Sequence, residues 1–539
     1  MSRFAALLRQ RLRRDWVQLV LWIGSTALLA YASYAGVQDT YGTEQQRRSI
    51  LAAALANPVI LLFRGLPSGA GDGAFIAFLI VPFLCIMAAL MSSFLAVRHT
   101  RADEETGRAE AVSATAAGRA LPTLATVVHG VLANAALGIL IALVFLSVGL
   151  PADGSVLVGL SAAAVGIVFL GVGLVASQLM RTSRGANSAA TTVLIATFLL
   201  GGLGNALGTP SDDLTRMEST WLTWLSPFGW AENTRAYDEN LWWPTALLLG
   251  TAVVLIAVAI ALQSVRDVGA AFVPERRGRR DARPALSSNT ALVWRLTYPA
   301  IIGWAIGAAL TGLLATSLGS VVDQLGSENE AIAAVLKQLS GGGSLDEAVI
   351  TTFFIMVGIF AACCAVQTVV RARQEETHGT AEAVLATPVS RVRWLGGFLL
   401  VGLLAVIVIA ATAVVFAWLG LVGADGNTDL LTDVIVAGAG QALAGAVFLV
   451  VTAVVFVLVP RLTIGLGWTL VVLATVLGLF GPLLGAPEWT TNLSPFAVTP
   501  FVSGGEVDPR GAVWLGLAAL GGAAASLALM RRRELAPGG

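Results

Sequence analysis

The sequence predicts an all-α polytopic membrane protein with about 12 transmembrane helices, arranged as two tandem six-helix repeats. Three observations carry that prediction. Hydrophobic residues make up 56% of the 539-residue chain and charged residues 12%, more apolar surface than a soluble protein of this length can hide. Apolar runs such as Ala74 to Val97 and Leu395 to Leu421 are long enough to cross a hydrocarbon core as helices, and lipid selects helices because each segment must satisfy its own backbone groups. Finally, one polar stretch occurs twice: ETGRAEAVSATAAGR at 105–119 returns, with one inserted residue, as ETHGTAEAVLATPVSR at 376–391. A second echo keeps nearly the same spacing, LSPF at 225–228 and again at 493–496, with Trp221 and Trp489 each four residues ahead. Such spacing is that of two homologous halves fused head to tail.

Taken in order, the chain opens with Arg3, Arg9, Arg11, Arg13 and Arg14. The apolar run that follows is too long for a signal-peptide core and lacks a convincing cleavage site, so a retained first span is expected over 16–36. Within 3–14 the arginines leave Phe4, Leu7, Leu8 and Leu12 on a contrasting face, which predicts an interfacial helix. Further spans are expected at 73–97, 121–149, 156–180, 186–207, 244–265, 296–319, 348–370, 395–422, 434–459, 462–485 and 511–530. The halves then occupy 1–265 and 296–539, joined by a basic linker at 266–295 that carries Arg266, Arg276, Arg277, Arg279, Arg280 and Arg283 with Pro274 and Pro284. A tether of this kind suits anionic lipid headgroups; a regulatory contact is the other reading. Cys85, Cys363 and Cys364 all fall in apolar runs, which suits small core residues and neither a disulfide framework nor a metal site.

Charge orients the spans. With the N-terminus inside, the inner segments hold 26 of the 33 basic and 12 of the 33 acidic residues, and the outer segments hold 7 and 21. A net charge of zero therefore conceals an excess of about 14 positive charges inside, the positive-inside signature, with both termini cytoplasmic. No charge is left for the membrane core, where His129, Asn134, Gln178, Asn187, Gln367 and Gln441 are the notable polar side chains. Proton- and sodium-driven transporters usually keep a carboxylate at mid-membrane depth, so such a cycle is disfavoured, with His129 keeping it open. The sole lysine, Lys337 in VLKQL, does not follow a glycine-rich turn, so the chain lacks a phosphate-binding loop and is not itself an ATPase. Energy from ATP would have to enter through another polypeptide.

The repeated segments are the most polar feature of the chain. Arg98, Arg101, Asp103, Glu104, Glu105, Arg108 and Glu110 stand between the second and third spans, and Arg371, Arg373, Glu375, Glu376 and Glu382 are their counterparts. Small residues, Ala109, Ala111 and Ala114, then Ala381, Ala383 and Ala386, interleave with the acids. A short helix with small residues on one side packs closely on a membrane domain while its charged side engages a partner, and so passes force from a soluble motor to the spans. The same charges would also serve as topology signals alone, but the recurrence of ETxG and AEAV exceeds what topology needs.

EETGRAEAVSAT and QEETHGTAEAVLATPVSR resemble the EE-x-G-x-x-E-x-L-L-A-T-P-x-S-R pattern of the permeases of ABC-2 type exporters, especially the fused, double-length actinobacterial form described as exporters of polyketide antibiotics. The likeness covers nearly the whole chain. Copy two is the closer match; copy one has Ala116 where copy two has Pro388. The resemblance implies a permease in a bacterial plasma membrane, with no cofactor of its own, above a separate ABC ATPase subunit that binds ATP and Mg, two copies per chain. It implies coupling through Arg101, Glu104, Glu105, Glu110, Arg373, Glu375, Glu376 and Glu382, with Arg9 and Arg13 of the N-terminal helix as secondary contacts.

The resemblance also places a substrate cavity along the second and fifth spans of each half. Those spans contribute Phe75, Phe78, Phe83, Met87 and Phe198, then Phe353, Phe354, Phe360 and Phe480. Aromatic and methionine side chains offer adaptable area without fixed hydrogen bonds, which suits a small hydrophobic drug, an antibiotic or a lipid-like molecule and no nucleic acid; lipid-facing or packing roles are the alternative for each. Trp224, Phe228, Trp230 and Phe496 fall where the family has an outer hairpin before its sixth span. As an outer gate they would close an exit path; as interfacial aromatics they would anchor the headgroup level. Gly201, Gly202, Gly204 and Gly208, then Gly478, Gly481 and Gly485, would permit close helix approach nearby. Two rival classes stay open: a proton-coupled multidrug antiporter with His129 as its titrating group, and a non-transporting membrane protein that binds an antibiotic.

Overall fold

The computed structural model describes residues 3–56, 58–113, 118, 120–273, 287–317, 345–424, 430–480, 487–500, 502–503 and 506–533. Most linker arginines, Lys337, Ala114, Ala116, Gly481, Gly485 and the side chain of Phe480 lie outside that set. The described residues hold twelve helices long and apolar enough to cross a membrane, each overlapping one expected span. Strand is confined, among the described residues, to two-residue pairs at Thr209–Pro210 with Met217–Glu218 and Val502–Ser503 with Glu506–Val507. The chain divides into two compact units, Met1–Gly278 and Arg279–Gly539.

In the first unit, α1 (Arg3–Thr40) is a single helix. Residues 3–14 are therefore its first turns and not a separate interfacial helix. The sequence from Arg13 to Trp16 contains no proline or glycine to break it, and Arg11 and Asp15 are buried on its packed face while Arg9 and Arg13 are exposed. Two short helices, α2 (Glu44–Ala56) and α3 (Pro58–Phe63), precede α4 (Asp72–Arg98), α5 (Arg101–Glu105) and α6 (Arg108–Ser113). Then come α7 (Ala120–Ser147), α8 (Ala152–Leu179), α9 (Ser183–Ala206), a 3₁₀ turn at Trp221–Leu225, α10 (Pro227–Glu232) and α11 (Trp243–Val265). The central helix is α8, buried along most of its length and packed by α4, α7, α9 and α11. Its many Gly, Ala and Ser residues explain the position, because helix association within lipid depends on close packing and small side chains.

The second unit contains α12 (Asn289–Ser317), α13 (Leu345–Thr377), α14 (Thr380–Leu385), α15 (Arg391–Ala424) and α16 (Leu431–Leu458). It closes with α17 (Thr463–Thr475), continued by a π-helical turn at Val476–Phe480, then α18 (Glu488–Thr491) and α19 (Arg510–Met530). Here α13 and α16 pack together, α12 lies along α15, and Trp394, Phe398 and Phe456 meet in the core. Polar residues within spans act as internal glue in both units. Asn134 Nδ2 donates to Ser92 Oγ at 2.8 Å, and Trp304 Nε1 donates to Gln367 Oε1 at 2.9 Å, so both of these N–H donors are satisfied in an apolar setting.

Candidate functional site

The two repeated segments fold alike at the end of the spans where basic residues concentrate. In the first unit α5 ends at Glu105, Gly107 takes φ +71°, and α6 starts at Arg108; in the second α13 ends at Thr377, Gly379 takes φ +73°, and α14 starts at Thr380. A Cβ at either glycine would meet open space, so the left-handed backbone and not crowding selects the residue. The glycine reverses the chain and lets a short helix begin with an acid in its first turn, Glu110 or Glu382, where the helix dipole favours negative charge. Both acids are exposed.

Behind each segment a glutamate is held between two arginines. In the first unit Arg101 Nη1 donates to Glu104 Oε2 at 2.7 Å, and Arg266, immediately after α11, pairs with the same carboxylate. Arg101 also donates to the carbonyl oxygens of Ser177 and Ala270, and Arg266 Nε donates to Gln178 Oε1 at 2.8 Å. The segment is thereby bonded to the ends of α8 and α11. In the second unit Arg373 Nη1 donates to Glu376 Oε2 at 3.1 Å, and Arg533, three residues past α19, reaches both oxygens at 2.6 and 2.8 Å. Arg101, Glu104, Arg373 and Glu376 thus point into their own units. Glu105 lies at the surface and accepts from Ser183 N and Oγ at the start of α9, and Glu375 pairs with Arg371 at 2.7 Å. The clamping arginines, Arg266 and Arg533, were legible only as linker and tail charges; the available signal was their shared place just beyond the last span of each half.

A further cluster joins three helices of the first unit. Asp15 on α1 contacts His99 Nε2 and lies 3.4 Å from Arg98 Nε, while His99 Nδ1 is 3.8 Å from Asp103 Oδ2. The His129 ring on α7 lies 5.4 Å from the His99 ring, centroid to centroid. Arg11 Nη1 donates to Pro122 O at 2.7 Å and Thr126 Oγ1 at 2.5 Å. Beside this cluster lies a cavity of about 560 Å³ whose lining includes Arg11, Arg14, His99, Asp103, Glu104, Gln178 and Arg266.

At the opposite end, the LSPF copies also fold alike. Ser226 Oγ donates to Thr197 O at 2.6 Å and Ser494 Oγ to Ala474 O at 2.8 Å, each on the fifth span of its half. Gly201 and Gly478 make room: a Cβ there would stand 3.0 and 2.8 Å from those hydroxyl oxygens. Ser226 also caps α10, with Pro227 at its first position. Phe228 packs edge-on against Phe198 at 5.6 Å, and Phe496 stacks on Phe448 at 5.1 Å. Trp224 stacks on Trp243 at 4.8 Å and accepts at its carbonyl from Trp230 Nε1 at 2.7 Å.

One acid there departs from its expected place. Glu232, counted among outer loop charges, is buried, and its Oε2 accepts from Asn205 Nδ2 at 2.5 Å. Burial pushes its carboxyl up to about 8, against the lowering effect of the Asn205 hydrogen bond. Residues flanking α10 gave no hydropathy signal for this, because the helix is too short to show a period.

Residues 286–531 match the family model for the C-terminal domain of the multidrug efflux system permease Rv1217c. Over 517 residues the chain is 36% identical to the multidrug efflux system permease protein Rv1217c of Mycobacterium tuberculosis, covering 94% of this chain and 91% of that one. The chain belongs to the multidrug efflux system permease family.

In the permease the expected cavity residues divide by burial. Phe75, Phe78 and Phe354 are wholly inside the cores of their own units. Phe83, Met87, Phe198, Phe353 and Phe360 are partly exposed; Phe83 lies under the Arg64 guanidinium at 5.9 Å, and Phe360 packs on Trp304 at 5.5 Å.

Proposed function

We propose that this permease is the membrane subunit of an ATP-driven exporter of the ABC-2 type, in a fused double-length form, which moves hydrophobic drugs, antibiotics or lipid-like molecules out of the cell. A separate ATPase subunit, two copies per chain, supplies the energy. The observation that carries this reading is the recurrence, in both units, of one device: a left-handed glycine, a short helix opening on an exposed acid, and an inward-turned glutamate held by an arginine that follows the last span. The basic end is then cytoplasmic. The ATPase meets Glu105, Arg108 and Glu110 in one half and His378 and Glu382 in the other, all exposed, with Arg9 and Arg13 beside them. Movement passes inward through Arg101, Glu104 and Arg266 to α8 and α11, and through Arg373, Glu376 and Arg533 to α19. Partly exposed Phe83, Met87, Phe198, Phe353 and Phe360 remain the substrate-facing candidates, while Phe75, Phe78 and Phe354 act as core. Trp224, Phe228, Trp230 and Phe496 form the outer closure.

The test is charge reversal on the exposed acids, read in vesicles that contain the permease and its ATPase. Glu382→Arg abolishes drug-stimulated ATP hydrolysis or detaches the ATPase, and Glu110→Arg does so less completely because copy one departs further from the pattern. Intact hydrolysis and transport in both variants would overturn the placement. A proton-driven cycle is favoured by one observation, the buried carboxyl of Glu232. It requires that Glu232→Gln stop drug movement driven by a pH gradient without ATP.

A further inference from the structure

We infer that Asp15, His99 and His129 form a binding site for one transition-metal ion of the zinc class. One ligand atom from each lies within 4.8 Å of the others, and the three residues come from α1, the turn after α4, and α7. All are buried, with His129 at 0% exposure. Neither ring nitrogen of His129 has a hydrogen-bond partner. A buried imidazole in that condition forfeits the satisfaction that nearly all buried polar groups obtain, and a metal bond from the nitrogen facing His99 and Asp15 would restore it.

The donor set fits such an ion. Two imidazoles and one carboxylate suit zinc and its neighbours better than magnesium or calcium, which require mostly oxygen. Zinc bonds of about 2.0–2.1 Å place tetrahedral ligand atoms about 3.4 Å apart, so side-chain rotation within the observed 4.8 Å suffices. Asp103 Oδ2, 3.8 Å from His99 Nδ1, supplies the outer carboxylate that commonly orients a ligating histidine. Arg98 at 3.4 Å from Asp15 and the nearby Arg11 oppose a cation, and Asp15 with Asp103 offsets them. The 560 Å³ cavity, lined by His99 and Asp103, provides both a route for the ion and room for a water at a fourth position. Because His99 lies between α4 and α5, a bound ion ties α1 and α7 to the first repeated segment. This inference does not depend on how transport is powered.

The chain has three histidines, so binding is readily assigned. The full chain, purified in detergent through a tag without histidine and stripped with a chelator, is titrated with zinc chloride and, separately, cobalt chloride. One zinc per chain is expected, with visible cobalt absorption typical of nitrogen-containing sites, and affinity about tenfold or more weaker in His129→Gln and in Asp15→Asn. His378→Gln leaves binding unchanged. Zinc also raises the unfolding temperature of the wild type but not of His129→Gln, a readout that reports whether each variant is folded. Equal zinc affinity in wild type, His129→Gln and Asp15→Asn would overturn the site, as would loss of binding in His378→Gln alone or absence of any zinc-induced stabilisation.

Discussion

Removing Glu376 is the sharpest perturbation of the second unit. Its side chain is 2% exposed and its carboxylate faces Arg373 at 3.1 Å and Arg533 at 2.6 Å, the latter with its guanidinium 4.5 Å above the Phe456 ring. Replacing it with alanine takes that carboxylate from two largely buried guanidinium groups, a change that costs about 3–5 kcal/mol where a buried pair is broken on one side. Arg533→Ala instead leaves Glu376 with Arg373, and loses charged hydrogen bonds and a ring contact, about 2–3 kcal/mol. In the double variant the second deletion adds little, since the interaction is already gone, and the cycle returns a coupling of about 1.5 kcal/mol or more. Unfolding by SDS in mixed micelles, followed through tryptophan emission, measures all three. Effects that add within about 0.5 kcal/mol would refute an energetic link between the segment and the end of α19.

Gly379→Ala and Gly107→Ala each cost about 1 kcal/mol in the same unfolding assay, because only the left-handed backbone penalises them, and asparagine costs less; unchanged stability with alanine would contradict the conformation. Glu232 has a folded-state value of about 8, above its ordinary 4.5, so the folded unit holds a proton that the unfolded chain releases. The stability that Glu232 contributes is full below pH 4.5, falls through the window up to about 8 with a limiting slope of about 1.4 kcal/mol per pH unit, and is gone above it. Glu232→Gln removes that dependence; an unaltered pH profile would show that another group carries it.

Much of the fold was legible because lipid makes spans announce themselves: Ala74 to Val97 and Leu395 to Leu421 have no alternative but helix. The repeated segments were legible as strings, and their glycines fold alike. What stayed hidden depended on partners distant in the chain. Arg101 and Glu104 read as a charged face for a partner, yet Arg266 turns them inward. Asp15 and His129 sit on separate helices, α1 and α7, and His99 in the turn after α4, so no spacing rule links them. Glu232 carried the charge of a loop residue, and only the packing of α10 against α4, α8 and α9 reveals its burial. The N-terminal arginines suggested a helix lying flat, whereas burial of Arg11 and Asp15 makes them part of α1.

The composition of the assembly tests the account most directly. The chain, tagged and purified gently from its native membrane, should carry a Walker-motif ATPase at two copies per chain, one for each repeated segment. A chain that purifies alone, yet moves drugs down a proton gradient in vesicles, would contradict the account and leave the repeated acidic helices as topology signals.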